Sequence, residues 1–443
     1  MIAQKINTIV FLLFLLAGAI LFFNSKKDET SSEERRKLSE LPLISENNIW
    51  DGTYMRQIDN YVNDHFVFRK HFVQTANKID EYKGINLQAK ERIVYVNVKK
   101  NVILEEVNDS QEIVELDEEP TSSGLLIVEG SIYQIFGGNS HSAAAYSKII
   151  NNYRIDLPSD VRVFNCVVPS AGSFIHNDRY QHLQKREYEN IQLIKNGLSQ
   201  GIIYVPAASL MLEHEYEYLF FNSDHHWTGR AAYYAYKAFC NSAGIVALEM
   251  NQMERRVKNN FLGSLYYKCL DETVKDNPDS VEYFIPPVKT TTIAYRKENQ
   301  AEFYNWNMFA HYASGGNSYG VFLGGDKPLM KIVTSNKNGK KVVLIKNSYG
   351  NPFATFLVNH YEEVYIVDFR YYNLKVLNLI KEKSINDVII LNGVFSANSR
   401  GTQGLMNYIK GSNVSFEQVA SDTIELKFEH ELDTILNLND TLK

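Results

Sequence analysis

The feature that most restricts what this chain can fold into is an alternation. Short, mostly apolar runs at residues 161–168, 202–205, 341–346, 364–367 and 387–391 are separated by segments of helical length and periodicity at 180–198, 229–242, 352–361 and 372–383. A strand that is apolar on both sides is buried on both faces, and helices between such strands supply the cover. The pattern predicts an α/β fold with a mostly parallel central sheet between two helical layers. Ligands in such sheets bind beyond the carboxyl ends of the strands, so chemistry is sought in the residues that follow these runs. Residues 244–339 interrupt the alternation and read as a mixed insertion, not as a separate domain. No internal repeat is visible.

The amino-terminal part is organised differently. Residues 6–23 (INTIVFLLFLLAGAILFF) form an uncharged run of 18, long enough to cross a bilayer core as a helix. No small-residue cleavage site follows, which favours an uncleaved anchor over a signal peptide. Lys5 lies on one side of the run and Lys26, Lys27, Arg35, Arg36 and Lys37 on the other, so charge alone leaves its orientation open. The expected organisation is an anchor or signal at 1–24 and a polar tether at 25–48. A helical segment and an acidic loop follow at 49–123, then the main domain at 124–395 and an extension at 396–443. The loop carries eight acids and no base between Glu105 and Glu119. The extension alternates polar and apolar positions at 414–428, which suggests peripheral strands.

Composition removes some functions. With 46 basic against 52 acidic residues the formal charge is −6, so there is no electrostatic footprint for nucleic acid and no polybasic patch for anionic lipid. Cys166, Cys240 and Cys269 have no CxxC spacing, which argues against a zinc knuckle or a redox pair and for buried, inert thiols. The 28 tyrosines and 24 phenylalanines would suit a sugar-binding cleft, although most such rings belong to a core.

One motif carries chemistry. Residues 222–229 (NSDHHWTG) place a carboxylate and two histidines just before a helix that Thr228 is suited to cap. On a turning segment Asp224 can reach the imidazole of His226, fix its tautomer and support the imidazolium formed when the other nitrogen takes a proton. The nucleophile such a base requires is offered by Ser348, in KVVLIKNSYGNPFATFL, between an apolar strand and a helix start. Amides and a helix dipole there can stabilise an oxyanion, and Gly350 keeps the approach uncluttered. Each piece has a plainer reading: a strand followed by Asn-Ser-Tyr-Gly is often only a turn, and an Asp-His pair often only a structural hydrogen bond. The His-His-Asp cluster sits on one tight loop with no second ligand group, so no metal is expected. Trp227 reads as packing, and Asp64 and His65 as structural. Arg370, in IVDFRYY, could clamp an anionic group or pair with an acid.

These residues match a known pattern. DHHWTG resembles the hallmark of the DHHW family, which is similar to the SGNH-hydrolase-like alginate O-acetylation proteins. RRKLSELP with IDNYVNDHFVFRKHF, GLLIVEGSIYQIFGG, FLGGDKPLMKI, IKNSYGNPFATFL and VDFRYY extend the resemblance over roughly residues 35–395. It implies an SGNH-like three-layer sandwich and a circularly permuted triad with Asp224 as orienter, His226 as base and Ser348 as nucleophile. His225 receives no triad role. The sequence departs from the family in having Asn347, where many relatives carry Asp before the serine. Asn347, Tyr349 and Arg370 are candidates for substrate binding.

The expected function is that of an extracytoplasmic O-acetyltransferase or acetylesterase on a cell-surface polysaccharide, working through an acyl-serine. The protein would be a single-pass membrane protein, or secreted if the first segment is cleaved. The resemblance also implies a membrane-bound O-acyltransferase as acetyl supplier, and no cofactor is expected. The alternative is a non-catalytic protein of the cell envelope that binds glycan or scaffolds an assembly.

Overall fold

The structure is a computed structural model that describes residues 2–25, 27, 30–31, 36–44, 53–68, 75, 91–94, 122–295 and 303–411. The acidic loop and the alternating stretch at 414–428 lie outside the described residues. The first helix, α1, spans Ile2–Asn24. Its apolar stretch Ile6–Asn24 makes it, among the described residues, the one helix long and apolar enough to cross a membrane. Helix α2 is Thr53–His65. Near its end the Asp64 carboxylate accepts from the Ser39 amide at 2.9 Å and the Ser39 hydroxyl at 2.6 Å, and His65 Nε2 faces the Ser39 carbonyl at 2.9 Å.

The main body opens with three short antiparallel strands, β1 (Glu91–Val94), β2 (Ser122–Val128) and β3 (Ser131–Phe136). Helix α3 (Ser140–Ile155) leads into β4 (Arg162–Val168), and α4 (Gln181–Asn196) into β5 (Ile202–Tyr204). After α5 (Gly229–Ala243) come two strands paired with each other, β6 (Glu254–Phe261) and β7 (Asp279–Ile285). Three more strands, β8 (Thr290–Tyr295), β9 (Phe303–Trp306) and β10 (Leu329–Thr334), precede β11 (Lys341–Lys346). The described part closes with α6 (Gly350–Leu357), β12 (Glu363–Asp368), α7 (Val376–Glu382), β13 (Asp387–Gly393) and α8 (Arg400–Lys410).

Among the described residues the central sheet has eight strands in the order β9-β8-β10-β12-β11-β13-β4-β5. The run from β12 to β5 is parallel, and β10, β8 and β9 extend it antiparallel. The interrupting segment 244–339 thus contributes one edge of the sheet.

Alternation within the parallel strands explains why both faces are covered. Cys166, Val342, Leu344, Ile366 and Ile389 point into one apolar layer with α5 and α6. Val163, Val343, Ile345, Val367 and Ile390 point into the other with α3, α7 and α8. Each fully buried aliphatic side chain contributes roughly 1.5–3 kcal/mol, which is why these runs are dominated by apolar residues. This is the mixed α/β, three-layer arrangement expected from the sequence. All three cysteines are buried and form no disulfide, and burial pushes the Cys166 and Cys240 thiols up to about 12.

The topology also fixes where a crevice forms. The chain leaves β11 for α6 on one face, and leaves β13 for α8 on the other. Adjacent parallel strands whose connections diverge in this way part at their carboxyl ends. Asn347, Ser348 and Tyr349 follow β11 at that point.

Candidate active site

The NSDHHWTG segment is held on a narrow loop. Phe220 and Trp227 pair across it as an isolated bridge, and the Thr228 hydroxyl caps α5 by accepting from the Ala231 amide. Asp279, on β7, secures the near side: its carboxylate accepts from the Asn222 amide at 2.9 Å, the Ser223 amide at 2.8 Å, and the hydroxyls of Ser223 and Tyr218. Burial pushes the Asp279 carboxyl up, and these donors oppose the shift.

Residues two apart meet here because the loop makes an Asx turn. Asp224 Oδ1 accepts from the His226 backbone amide at 3.0 Å and lies 2.6 Å from its ring Nδ1. Its second oxygen accepts from the Ser264 amide at 2.8 Å. An ionised carboxylate can only accept, so in the neutral ring Nδ1 carries the hydrogen and Nε2 is the acceptor. Ser348 Oγ lies 2.7 Å from that Nε2. Asp224, His226 and Ser348 are 1%, 3% and 6% exposed, so the chain of bonds runs through a nearly dry interior.

Gly263 makes the approach of Asp224 possible: a Cβ at this glycine would lie 2.2 Å from the Asp224 Cβ. At the serine turn, a Cβ on Gly350 would lie 2.4 Å from the Lys346 Cβ, so glycine lets the turn fold back onto β11. The amides after the serine are already engaged. Tyr349 N donates to Asn347 Oδ1 at 3.2 Å, Gly350 N to the Asn347 carbonyl at 2.9 Å, and Asn351 N to the Ser348 carbonyl at 3.1 Å.

The three further residues singled out from sequence are all spoken for locally. Asn347 Nδ2 donates to Ser396 Oγ at 2.7 Å, joining the ends of β11 and β13. The Tyr349 hydroxyl donates to the His225 carbonyl. Arg370 forks onto Asp368 at 2.9 and 2.7 Å and reaches Asp326 at 2.8 Å. Lys346 joins the same group, 2.7 Å from Asp368 and 3.0 Å from Asp326. Burial alone would push the Asp326 carboxyl up, but Lys346 and the hydrogen bond from Asn351 outweigh it and hold it below the usual carboxylate range.

His225 has its Nδ1 2.7 Å from Ser264 Oγ. Among the described residues, Asp224, His225 and His226 form the one group of donors close enough to share a metal, all within 4.8 Å. A metal would have to separate Asp224 Oδ1 from His226 Nδ1, which are joined by a hydrogen bond of 2.6 Å. That pairing suits a proton better than a cation.

Sequence reading missed Asp279, Gly263, Ser264, Tyr319 and Asp326. All five lie in the segment 244–339 that interrupts the strand-helix alternation, and they act on the site through tertiary contact. Asp326 had a local signal in the GGDKP turn.

Comparison with known proteins is consistent with this architecture. The DHHW protein family matches residues 116–367. The crystal structure of a DHHW family protein from Eubacterium siraeum is 31% identical, with 65% of this chain and 96% of that one covered at a TM-score of 0.59. Bacillus cereus PatB1 with a sulfonyl adduct shares the fold at 15% identity, covering 64% of this chain and 98% of that one at a TM-score of 0.54. A second structure of Bacillus cereus PatB1 gives 17% identity, 64% and 99% coverage, and the same TM-score of 0.54. None of the curated proteins matches.

Proposed function

Because the chain belongs to the DHHW protein family, we propose that it is a serine O-acetyltransferase or acetylesterase of the cell envelope, acting on a surface polysaccharide. The observation that carries this reading is the unbroken line of hydrogen bonds from Asp224 through His226 to Ser348, at 2.6 and 2.7 Å.

In this mechanism Ser348 Oγ attacks an acetyl carbonyl while its proton passes to His226 Nε2. Asp224 keeps the ring oriented and balances the charge of the imidazolium. Collapse of the tetrahedral intermediate breaks the bond to the donor's leaving oxygen, which takes the proton from His226. The acetyl group is left on Ser348. A glycan hydroxyl then gives its proton to His226 and attacks the acyl-serine, and as the new intermediate collapses His226 returns that proton to Ser348 Oγ, transferring the acetyl and restoring the serine. Water in place of the sugar gives acetate instead, so exclusion of water decides between transfer and hydrolysis. Helix α1 would tether the protein at the outer face of the membrane, where a membrane-bound O-acyltransferase could supply acetyl. Asn347, Tyr349 and Arg370 would act by shaping the crevice.

The test uses the full chain in detergent. It should release acetate from a chromogenic acetyl ester, and a sulfonyl fluoride should add its sulfonyl group to Ser348. S348A should lose at least about 1000-fold in turnover, as removal of a triad serine does elsewhere. Undiminished turnover in a folded S348A would end the acyl-serine reading. Glycan binding that survives loss of all three residues, with no esterase signal, would favour a binding or scaffolding role.

A further inference from the structure

Tyr319 touches both halves of the site, although it belongs to neither motif. It lies in the short helical segment Gly315–Val321. Its ring stacks on the His226 imidazole, with centroids 3.9 Å apart and planes 13° from parallel. Its hydroxyl donates to the Ser348 carbonyl at 3.0 Å. The side chain is buried, and Phe221 and Phe322 meet it at steep angles, with centroids at 6.2 and 5.4 Å. The apolar core therefore sets its position.

The opposite face of His226 is also covered. The His225 ring lies 3.8 Å from it, centroid to centroid, and two rings at such distances cannot share one face. His226 is thus sandwiched between Tyr319 and His225, while Asp224 and Ser348 hold its two nitrogens.

We propose that Tyr319 is a positioning residue for chemistry at Ser348, aligning the base with the serine turn and stabilising the imidazolium. This rests on the reading of His226 as general base. A tyrosine ring is negative over its face, so it attracts a protonated imidazole more strongly than a neutral one. Only an interaction that strengthens as the proton moves lowers the barrier, and the stack meets that condition. The hydroxyl acts on the other partner by fixing the carbonyl of the residue whose Oγ must reach His226. Loss of that hydroxyl leaves the Ser348 carbonyl still bonded to the Asn351 amide at 3.1 Å, so the ring and hydroxyl contributions can be separated.

Other groups also bear on His226. Asp224 faces Nδ1, His225 lies on the second face, and the Tyr349 ring is 5.4 Å away. Asp326 interacts electrostatically with His226 and is itself paired with Lys346 and Arg370. None of these residues is itself altered by replacing Tyr319.

The experiment compares kcat/KM against pH for the wild-type full chain, Y319F, Y319L and S348A on an acetyl ester, with folding checked by circular dichroism. Y319F should lose about 3- to 10-fold in rate, the scale of one hydrogen bond, and keep the acid limb of its profile in place. Y319L should lose about 10- to 100-fold and move that limb to lower pH by about 0.5–1 unit, because the imidazolium loses its stacking partner. A purely structural role would lower both rates without moving the limb. A folded Y319L with the wild-type limb overturns the proposal while an inactive S348A leaves the acyl-serine reading standing. Full turnover in S348A overturns both. Should Y319L not fold, Tyr319→Met takes its place with the same expected shift.

Discussion

Trp227 and Tyr349 bind the two chemical segments of this protein to each other: the indole Nε1 donates to the Tyr349 carbonyl at 2.9 Å. Tyr349 returns a bond from its hydroxyl to the carbonyl of His225, two residues before the tryptophan. The tryptophan is fully buried, so the motif's last aromatic serves as a brace between loop and turn.

Trp227→Phe would remove the indole donor and leave a buried carbonyl short of a partner. The expected cost is about 1–3 kcal/mol in stability, with esterase turnover falling about 10-fold as the Ser348 turn loosens. Urea unfolding and steady-state kinetics on the same preparation check it. A variant with wild-type stability and rate would mean the brace is dispensable.

Gly263→Ala should be more damaging to activity than its small size suggests. The added methyl would fall 2.2 Å from the Asp224 Cβ, forcing the carboxylate away from His226. Turnover should fall by about 100-fold or more, while the sheet, to which Gly263 does not belong, keeps its far-ultraviolet circular dichroism. Wild-type kinetics in this variant would show that Asp224 can be displaced without consequence.

Glu187 gives a pH dependence with a defined sign. It is fully buried and bonded to the Ser170 amide and hydroxyl and to the Ser173 hydroxyl. Burial pushes its carboxyl above the ordinary value of 4.5, and those bonds oppose the shift only in part. A carboxyl raised on folding stabilises the protein at pH below its unfolded value, and that contribution is lost as pH rises through the folded value. Glu187→Gln should therefore flatten the fall in stability between pH 5 and pH 8, most visibly by raising the urea midpoint at pH 8. An unchanged slope would place the pH dependence elsewhere.

Much of this arrangement can be read from the chain before folding, for identifiable reasons. The expected strand at 341–346 coincides with β11, and 387–391 lies within β13, because a strand buried on both faces writes a mostly apolar run. Asp224 and His226 were legible through the Asx spacing, and Ser348 through its place after such a run. Helix α3 left little trace because SHSAAAYS at its start is small and polar, and its cap is supplied by Asn139. Strand β6 (ERRVKNNF) is largely exposed, so it lacks the burial that would impose alternation. Tyr319 could not be found by pattern at all. GGNSYGV reads as a turn, and only the folded chain brings its ring against His226.

The order of strands also has a temporal meaning. β4, the first parallel strand to be synthesised, pairs with β13, the last, and Arg162 closes that seam on Asp387 with two contacts of 2.7 Å. A chain made amino terminus first presents β4 with an open edge until the final strand arrives. Such long-range pairing is slow to form. The nascent chain would need protection from its neighbours throughout that wait, and a product truncated before residue 387 could never close the seam.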